Sequence, residues 1–430
     1  MMRSMNSAVS GLRAHQIRMD VIGNNIANVN TVAFKTGRVT FSEIFSQTLS
    51  GASAPDNASG RGGTNPKQIG LGLTVNAIDT ITTRGGFDTT DSPTDMAIDG
   101  EGFFICKSGD SPFQFTRAGN FTIDALGNLN TATGMNVYGW QKLKDDGSGE
   151  FDTESEIEPI NLYNDAYRNK RIISASATKY ANLTGNLDSA TKGVGTTPTD
   201  SDYFSVPMTV YDSLGNDYEI NVKFWKNTAD ATSSTWNWTI GGDAGMSATG
   251  NSGTIKFDAK GLLADGKNAS VEFTPPTTTG TGAFKVDFDF SKLTSFASDN
   301  SVKPISVDGY KSGSLVSFTV GSDGILTGVY DNGKQQSLGL MAVTIFDNPA
   351  GLQRIGQNMF LNTTNSGAYK PVKAGSGGAG GLSPGTLEMS NVDLSKEFTN
   401  MIITQRGFQA SSRIITTSDE LLQELVNLKR

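Results

Sequence analysis

The side chains able to do chemistry are few and scattered. The chain has one histidine, His15, and one cysteine, Cys106. A catalytic base needs a nucleophile and an orienting acid beside it, and neither stands near His15 in sequence. His15 falls on an amphipathic stripe and reads as a packed or interfacial histidine. Cys106 lies in Glu101-Gly102-Phe103-Phe104-Ile105-Cys106, an apolar run typical of a strand, and reads as a buried thiol. Asp287 and Asp289 alternate with phenylalanines in Phe284-Lys285-Val286-Asp287-Phe288-Asp289-Phe290. Paired carboxylates can bind a metal or move protons, but this alternation is also what a solvated strand face produces. Gly375, Gly377 and Gly380 spell G-x-G-x-x-G. A nucleotide site would need a strand before them and a helix after. Pro384 follows and stops a helix, so the stretch reads as low-complexity linker. Asp99 to Gly102 and Asp124 to Gly127 lack the acidic spacing of a calcium loop and read as turns. No catalytic, metal or cofactor site is expected.

The elements that would carry such groups point the same way. At 430 residues the chain exceeds one ordinary core, and two to four domains are expected. Gly accounts for 50 residues, Phe for 23 and Trp for only 4, a profile of strands and turns. The net charge of −8 argues against a nucleic-acid surface. With one cysteine there is no intrachain disulfide. No run approaches the roughly 18 apolar residues of a membrane span. The first twenty residues lack the apolar core and cleavage site of a secretory leader.

Both ends read as long helices. Met5, Leu12, Met19 and Ile26 fall seven apart over residues 4–28, with Ala8, His15, Ile22 and Val29 on the adjacent line. Leu394, Met401, Phe408, Ile415 and Leu422 repeat the pattern near the C-terminus, after Asn391 and Asp393, which carry N-cap chemistry. Heptads of this kind pack lengthwise on other helices. Gly11 and Gly23 weaken an isolated helix, which points to close approach of another backbone. An intrachain hairpin is the simplest use of the two stripes. Burying them on further copies is the other, since head-to-tail contacts that do not close give a filament.

Between the ends the chain reads as β. Tyr218, Ile220, Val222 and Phe224 share one face, as do Trp236, Trp238 and Ile240, with a turn at Asp212 to Asn216. Turn residues every 8 to 12 positions favour antiparallel sandwiches or barrels. Polar, Gly-rich stretches on either side read as linkers. The expected organisation is a terminal helical core of 1–30 with 390–430, packed in coiled-coil fashion. Linkers of 31–74 with 370–389 join it to a first β domain of 75–142 with 313–369. A further β domain, 143–312, is inserted in that.

The run Asp20-Val21-Ile22-Gly23-Asn24-Asn25-Ile26-Ala27-Asn28-Val29-Asn30-Thr31, then Ala33-Phe34-Lys35, resembles the N-terminal signature of bacterial flagellar axial proteins of the rod and hook. The family usually has Gly where Ala33 stands. Ser390 through Leu394, Glu397-Phe398, Met401-Ile402, Gln405-Arg406 and Phe408-Gln409-Ala410 resemble its closing signature, completed by Asp419 to Leu425. Asp95 to Phe104 and Phe115 to Phe121 are similar to a β-domain motif of rod and hook members. Arg38-Val39-Thr40-Phe41 and Gly60 to Thr64 in the long linker, Val210 to Asn216 in the insertion, and Phe346 to Gly351-Leu352 with Gly356-Gln357-Asn358 resemble the hook members. The resemblance implies a helical homopolymer: a curved tube that transmits torque from rod to filament and serves as an export channel. It implies rod, hook-cap and hook–filament junction proteins as partners, extracellular location, and delivery by the flagellar export apparatus without leader cleavage. It implies neither nucleic acid nor membrane insertion. The assembly residues expected are Met5, Leu12, Met19, Ile22, Ile26, Leu394, Met401, Phe408, Ile415 and Leu422. A distal rod or junction protein is the nearer alternative. A secreted carbohydrate-acting enzyme or lectin using carboxylates such as Asp287 is the remote one.

Overall fold

The computed structural model describes residues 2–55, 62–146, 148–163, 170–195, 198, 199, 202–229, 233–241 and 245–428. The chain is mainly β, with one long helix at each end: α1, Met2–Ala27, and α2, Leu394–Asn427. Asp393 caps α2 by accepting from the Ser395 and Lys396 N–H groups, which supplies two of the four donors a helix start leaves open. Asn391 does not cap. Its side chain is engaged elsewhere, as described below.

Two compact units form. The first comprises 1–162, 319–327 and 338–430, and the second 163–318 with 328–337. In the first, strands Gln335–Ile345, Asn136–Trp140, Phe103–Lys107, Gln114–Thr116, Met359–Leu361 and Gln353–Gly356 pair in that order. Phe103, Ile105, Phe115, Trp140, Leu340, Phe346 and Phe360 form one core cluster. Phe104 and Cys106 point the other way yet are equally buried. Both faces of Phe103–Lys107 are therefore covered, which is why that strand reads as an unbroken apolar run.

The stretches expected as linkers are not plain coil. Strand Gly37–Glu43 pairs with Leu73–Thr80, and Ser46–Ser50 with Lys67–Gly70, making a two-stranded ribbon. Strand Gly381–Pro384 pairs with Met96–Asp99, and Thr386–Glu388 with Phe87–Thr89. Composition conceals these strands because their side chains are mostly small and polar and the ladder is carried by backbone. Gly60 and Arg61 lie outside the described residues. Gly375 and Gly377 are in an ordered turn at φ 74° and 60°, closed by the Gly375 N–H donating to Gly380 O at 3.0 Å. Glycine is there for backbone conformation.

The second unit is a sandwich of two five-stranded sheets. Val222, Phe224, Trp236, Trp238 and Ile240 of one pack with Val271, Phe273, Val286, Phe288 and Phe290 of the other. Tyr180–Asn186 runs parallel to Phe284–Thr294, a departure from the all-antiparallel expectation. Strands so far apart in sequence can be joined through the opposite sheet, which permits a parallel neighbour. Asp212 shapes the expected turn by accepting from the Leu214 and Asn216 N–H groups, and Tyr218 Oη donates to it at 3.0 Å. Asp124 does the same for Leu126 and Asn128.

Candidate assembly site on the paired terminal helices

The helices pack antiparallel within one chain. Gly11 faces Ser411, where an added Cβ would lie 3.2 Å from Oγ, and His15 lies over Gly407. Arg18 Nη2 donates to Asn400 Oδ1 at 3.4 Å, and Asn25 Nδ2 to Glu397 Oε2 at 3.2 Å. The seam is thus made of small and polar residues: Ala8, Gly11 and Ala14 on α1, and Thr404, Gly407 and Ser418 on α2. Short side chains let two helices approach closely. Gly11 has the close neighbour its presence suggested. Gly23 has nothing within 4 Å of where a Cβ would stand.

The apolar stripes flank this seam rather than filling it. Ile22 is buried, while Met5, Leu12, Met19 and Ile26 are half-buried. On α2, Met401, Ile415 and Leu422 are half-buried and Leu394 and Phe408 are exposed. Further apolar side chains stand out on α2: Phe398 at 50%, Ile402 at 53%, Ile403 at 56% and Leu421 at 52% exposure. The intrachain pair forms, yet most of the apolar surface of α2 is left uncovered by the described residues. Exposed apolar side chains gathered on one helix are what an interaction surface would need.

The arms that carry the helices are anchored by polar side chains that hydrophobic periodicity cannot find. Asn391 Oδ1 accepts from the Thr36 N–H at 2.8 Å, and its Nδ2 donates to Ile81 O at 2.9 Å. Deeper in, Lys35 Nζ lies 2.6 Å from Glu388 Oε1, with both side chains at or below 1% exposure. Arg117 Nη1 reaches the same oxygen at 3.4 Å. Lys35 also donates to Thr83 O, Arg117 Nε to Gly102 O, and the Gly85 N–H to Glu388 Oε1. Burial draws the Lys35 ammonium below its usual value against the pull of Glu388, and acts on Arg117 in the same direction. Removing one partner of such a buried group costs about 3–5 kcal/mol. Lys35, Arg117 and Asn391 all lie inside the signature runs quoted above, and Glu388 stands two residues before one. Nothing else in the sequence points to their buried contacts.

The remaining sequence candidates are not brought together. His15 Nδ1 is buried without a hydrogen-bond partner, and its ring meets Phe41 edge-on at 5.9 Å. Burial, then Arg18, lowers its pKa. Cys106 is fully buried, and burial pushes its thiol far up. Asp287 Oδ1 accepts from Ser270 Oγ at 2.6 Å and Asp289 from the Ser291 N–H, on a half-exposed strand face. Among the described residues, no group of three or more His, Cys, Asp or Glu is placed to hold a metal ion. No helix among them is long and apolar enough to cross a membrane.

The terminal helices thus close into one pair, and the β strands lie between them in sequence. Four family descriptions match in chain order. Residues 5–35 match the flagella basal body rod proteins, and 97–168 the flagellar hook protein FlgE/F/G D1 domain. Residues 182–310 match the flagellar basal body protein FlaE D2 domain, and 383–428 the C-terminal region of the flagellar basal body rod FlgEFG proteins. The flagellar hook protein FlgE of Borreliella burgdorferi is 40% identical, with 100% of both chains covered. The flagellar basal-body rod protein FlgG of Bacillus subtilis is 32% identical, again over 100% of both. The crystal structure of Helicobacter pylori flagellar hook protein FlgE2 gives a TM-score of 0.47 at 13% identity, covering 69% of this chain and 98% of that one. The chain belongs to the flagellar hook and rod protein family.

Proposed function

We propose that this chain is a structural subunit of the bacterial flagellar hook. It polymerises into the flexible curved tube that carries torque from rod to filament and serves as the export channel. The observation that carries this reading is the unpartnered apolar surface of a helix pair already closed by its own small-residue seam. Copies stacked along an axis would cover it. Open-ended contacts between unlike faces give a helical polymer rather than a closed ring. The self-assembly interface is assigned to Met5, Leu12, Met19, Ile22, Ile26, Leu394, Met401, Phe408, Ile415 and Leu422, with the exposed α2 side chains beside them.

Its partners in this reading are the rod, the hook cap, the hook–filament junction proteins and the export apparatus. Its place is the extracellular hook, reached without leader cleavage. No catalytic role is assigned. Full-length similarity to FlgG supports a distal rod protein as the second reading. The greater identity to FlgE favours the hook. Negative-stain images of the assembled protein test the choice. Curved tubes are expected. Straight rods, or a deletion strain that forms no rod, would favour the second reading.

A further inference from the structure

The Lys35–Glu388–Arg117 group joins distant parts of the chain. Glu388 is 353 residues from Lys35 and 271 from Arg117. Lys35 follows the N-terminal helix, Arg117 sits after strand Gln114–Thr116, and Glu388 ends the strand that leads to α2. The neutral acceptors Thr83 O, Gly102 O and Gly100 O help hold the two cations. Glu388 is the carboxylate paired with both. Glu101 also attracts Arg117, and Arg84 opposes it. The backbone of Glu388 contributes as well, with its carbonyl accepting from the Ala33 N–H at 2.8 Å.

We propose that Glu388 is a folding checkpoint: the first unit closes only once this late residue stands between Lys35 and Arg117. Closing earlier would bury two cations without the one carboxylate that pairs with both, which burial strongly disfavours. Chains are made from the N-terminus, so Lys35 and Arg117 wait for a residue near the other end. The second unit is subject to no such delay. Its sandwich core lies wholly within 163–318, and the rest of the unit, 328–337, also precedes Glu388. Only a complete chain then displays α1 and α2 on a closed body, so an incomplete copy offers no half-formed helix pair to a growing polymer. That last consequence rests on the proposed assembly; the checkpoint itself does not.

The full-length chain carries its own reporters. Cys106 is the sole thiol, buried in the first unit. Trp225, Trp236 and Trp238 report on the second unit, against Trp140 alone in the first. On refolding from denaturant, tryptophan fluorescence and pulsed thiol labelling are followed together. Glu388→Gln is expected to slow Cys106 protection at least tenfold, or abolish it, while the main fluorescence phase is unchanged. The triple variant Lys35→Met, Arg117→Met, Glu388→Leu removes every charge of the group and is expected to restore protection to within about threefold of the parent rate. Protection of Glu388→Gln at the parent rate, with only faster exposure from the folded state, would mean a merely structural role and overturn the proposal. So would a triple variant as slow as Glu388→Gln, or one never protected. Failure to polymerise would leave these rates untouched and would count against the assembly reading alone.

Discussion

The Asn25 amide on α1 donates to Glu397 on α2 at 3.2 Å, in a site closed to water. The same side chain exchanges two further bonds with the backbone of Gly37, each 2.9 Å. One residue therefore ties both helices to the strand that follows. Asn25→Ala is expected to cost about 2–4 kcal/mol, since several buried polar groups lose their partners. Asn25→Asp places a second carboxylate beside Glu397. The pair then holds a proton more tightly folded than unfolded, so the variant loses stability as pH rises and regains it in acid. Urea midpoints at pH 5 and pH 8 measure both effects.

His15 gives the helix seam a pH dependence of the opposite sense. Its folded pKa lies below the ordinary 6.5, chiefly through burial and then through Arg18. The seam accepts the neutral ring. Its contribution is complete above 6.5 and is lost as pH falls through the lowered folded value. The ring-proton resonances of the chain's single histidine should titrate below 6.5. His15→Gln should flatten the stability profile between about pH 5 and 7. A histidine titrating at or above 6.5 would contradict this.

Ile402 and Ile403 are both more than half exposed on α2. Replacing both with Asp should change monomer stability by roughly 1 kcal/mol or less, because each surface position contributes within about ±0.5 kcal/mol. Polymerisation should fail, since burying the new charges is prohibitive. Calorimetry and sedimentation separate the two quantities. Tubes formed at the parent concentration would show that this face is not used.

Ala33 has φ 56° and is buried. A side chain in the left-handed region costs about 1–2 kcal/mol. Ala33→Gly should relieve most of that while losing one buried methyl, and a rise of a few degrees in melting temperature is the expected result. The family's usual glycine at this position has a backbone reason.

The helices and the sandwich were legible because long apolar periods survive in sequence. Tyr218, Ile220, Val222 and Phe224 alternate as written and are buried as expected. The seam was harder to see. Met5, Leu12, Met19 and Ile26 mark a real stripe, but close approaches to the partner helix come at Gly11, Gly407 and Ser411, which hydrophobicity passes over. Asn25, Asn391 and Glu388 escape for a related reason. A polar side chain is informative only once its buried partner is known, and those partners lie 355 and 353 residues away for Asn391 and Glu388. The ribbon strands within 31–74 read as linker because their pairing is in the backbone.

Cys106 bears on what could link copies of the chain in the proposed tube. Reactive cysteines are exposed thiolates, and this one is fully buried, with ionisation suppressed. Oxidants find no thiolate to attack, and thiol–disulfide exchange has no entry point. Copies set side by side cannot be stapled to one another through this residue while the unit stays closed.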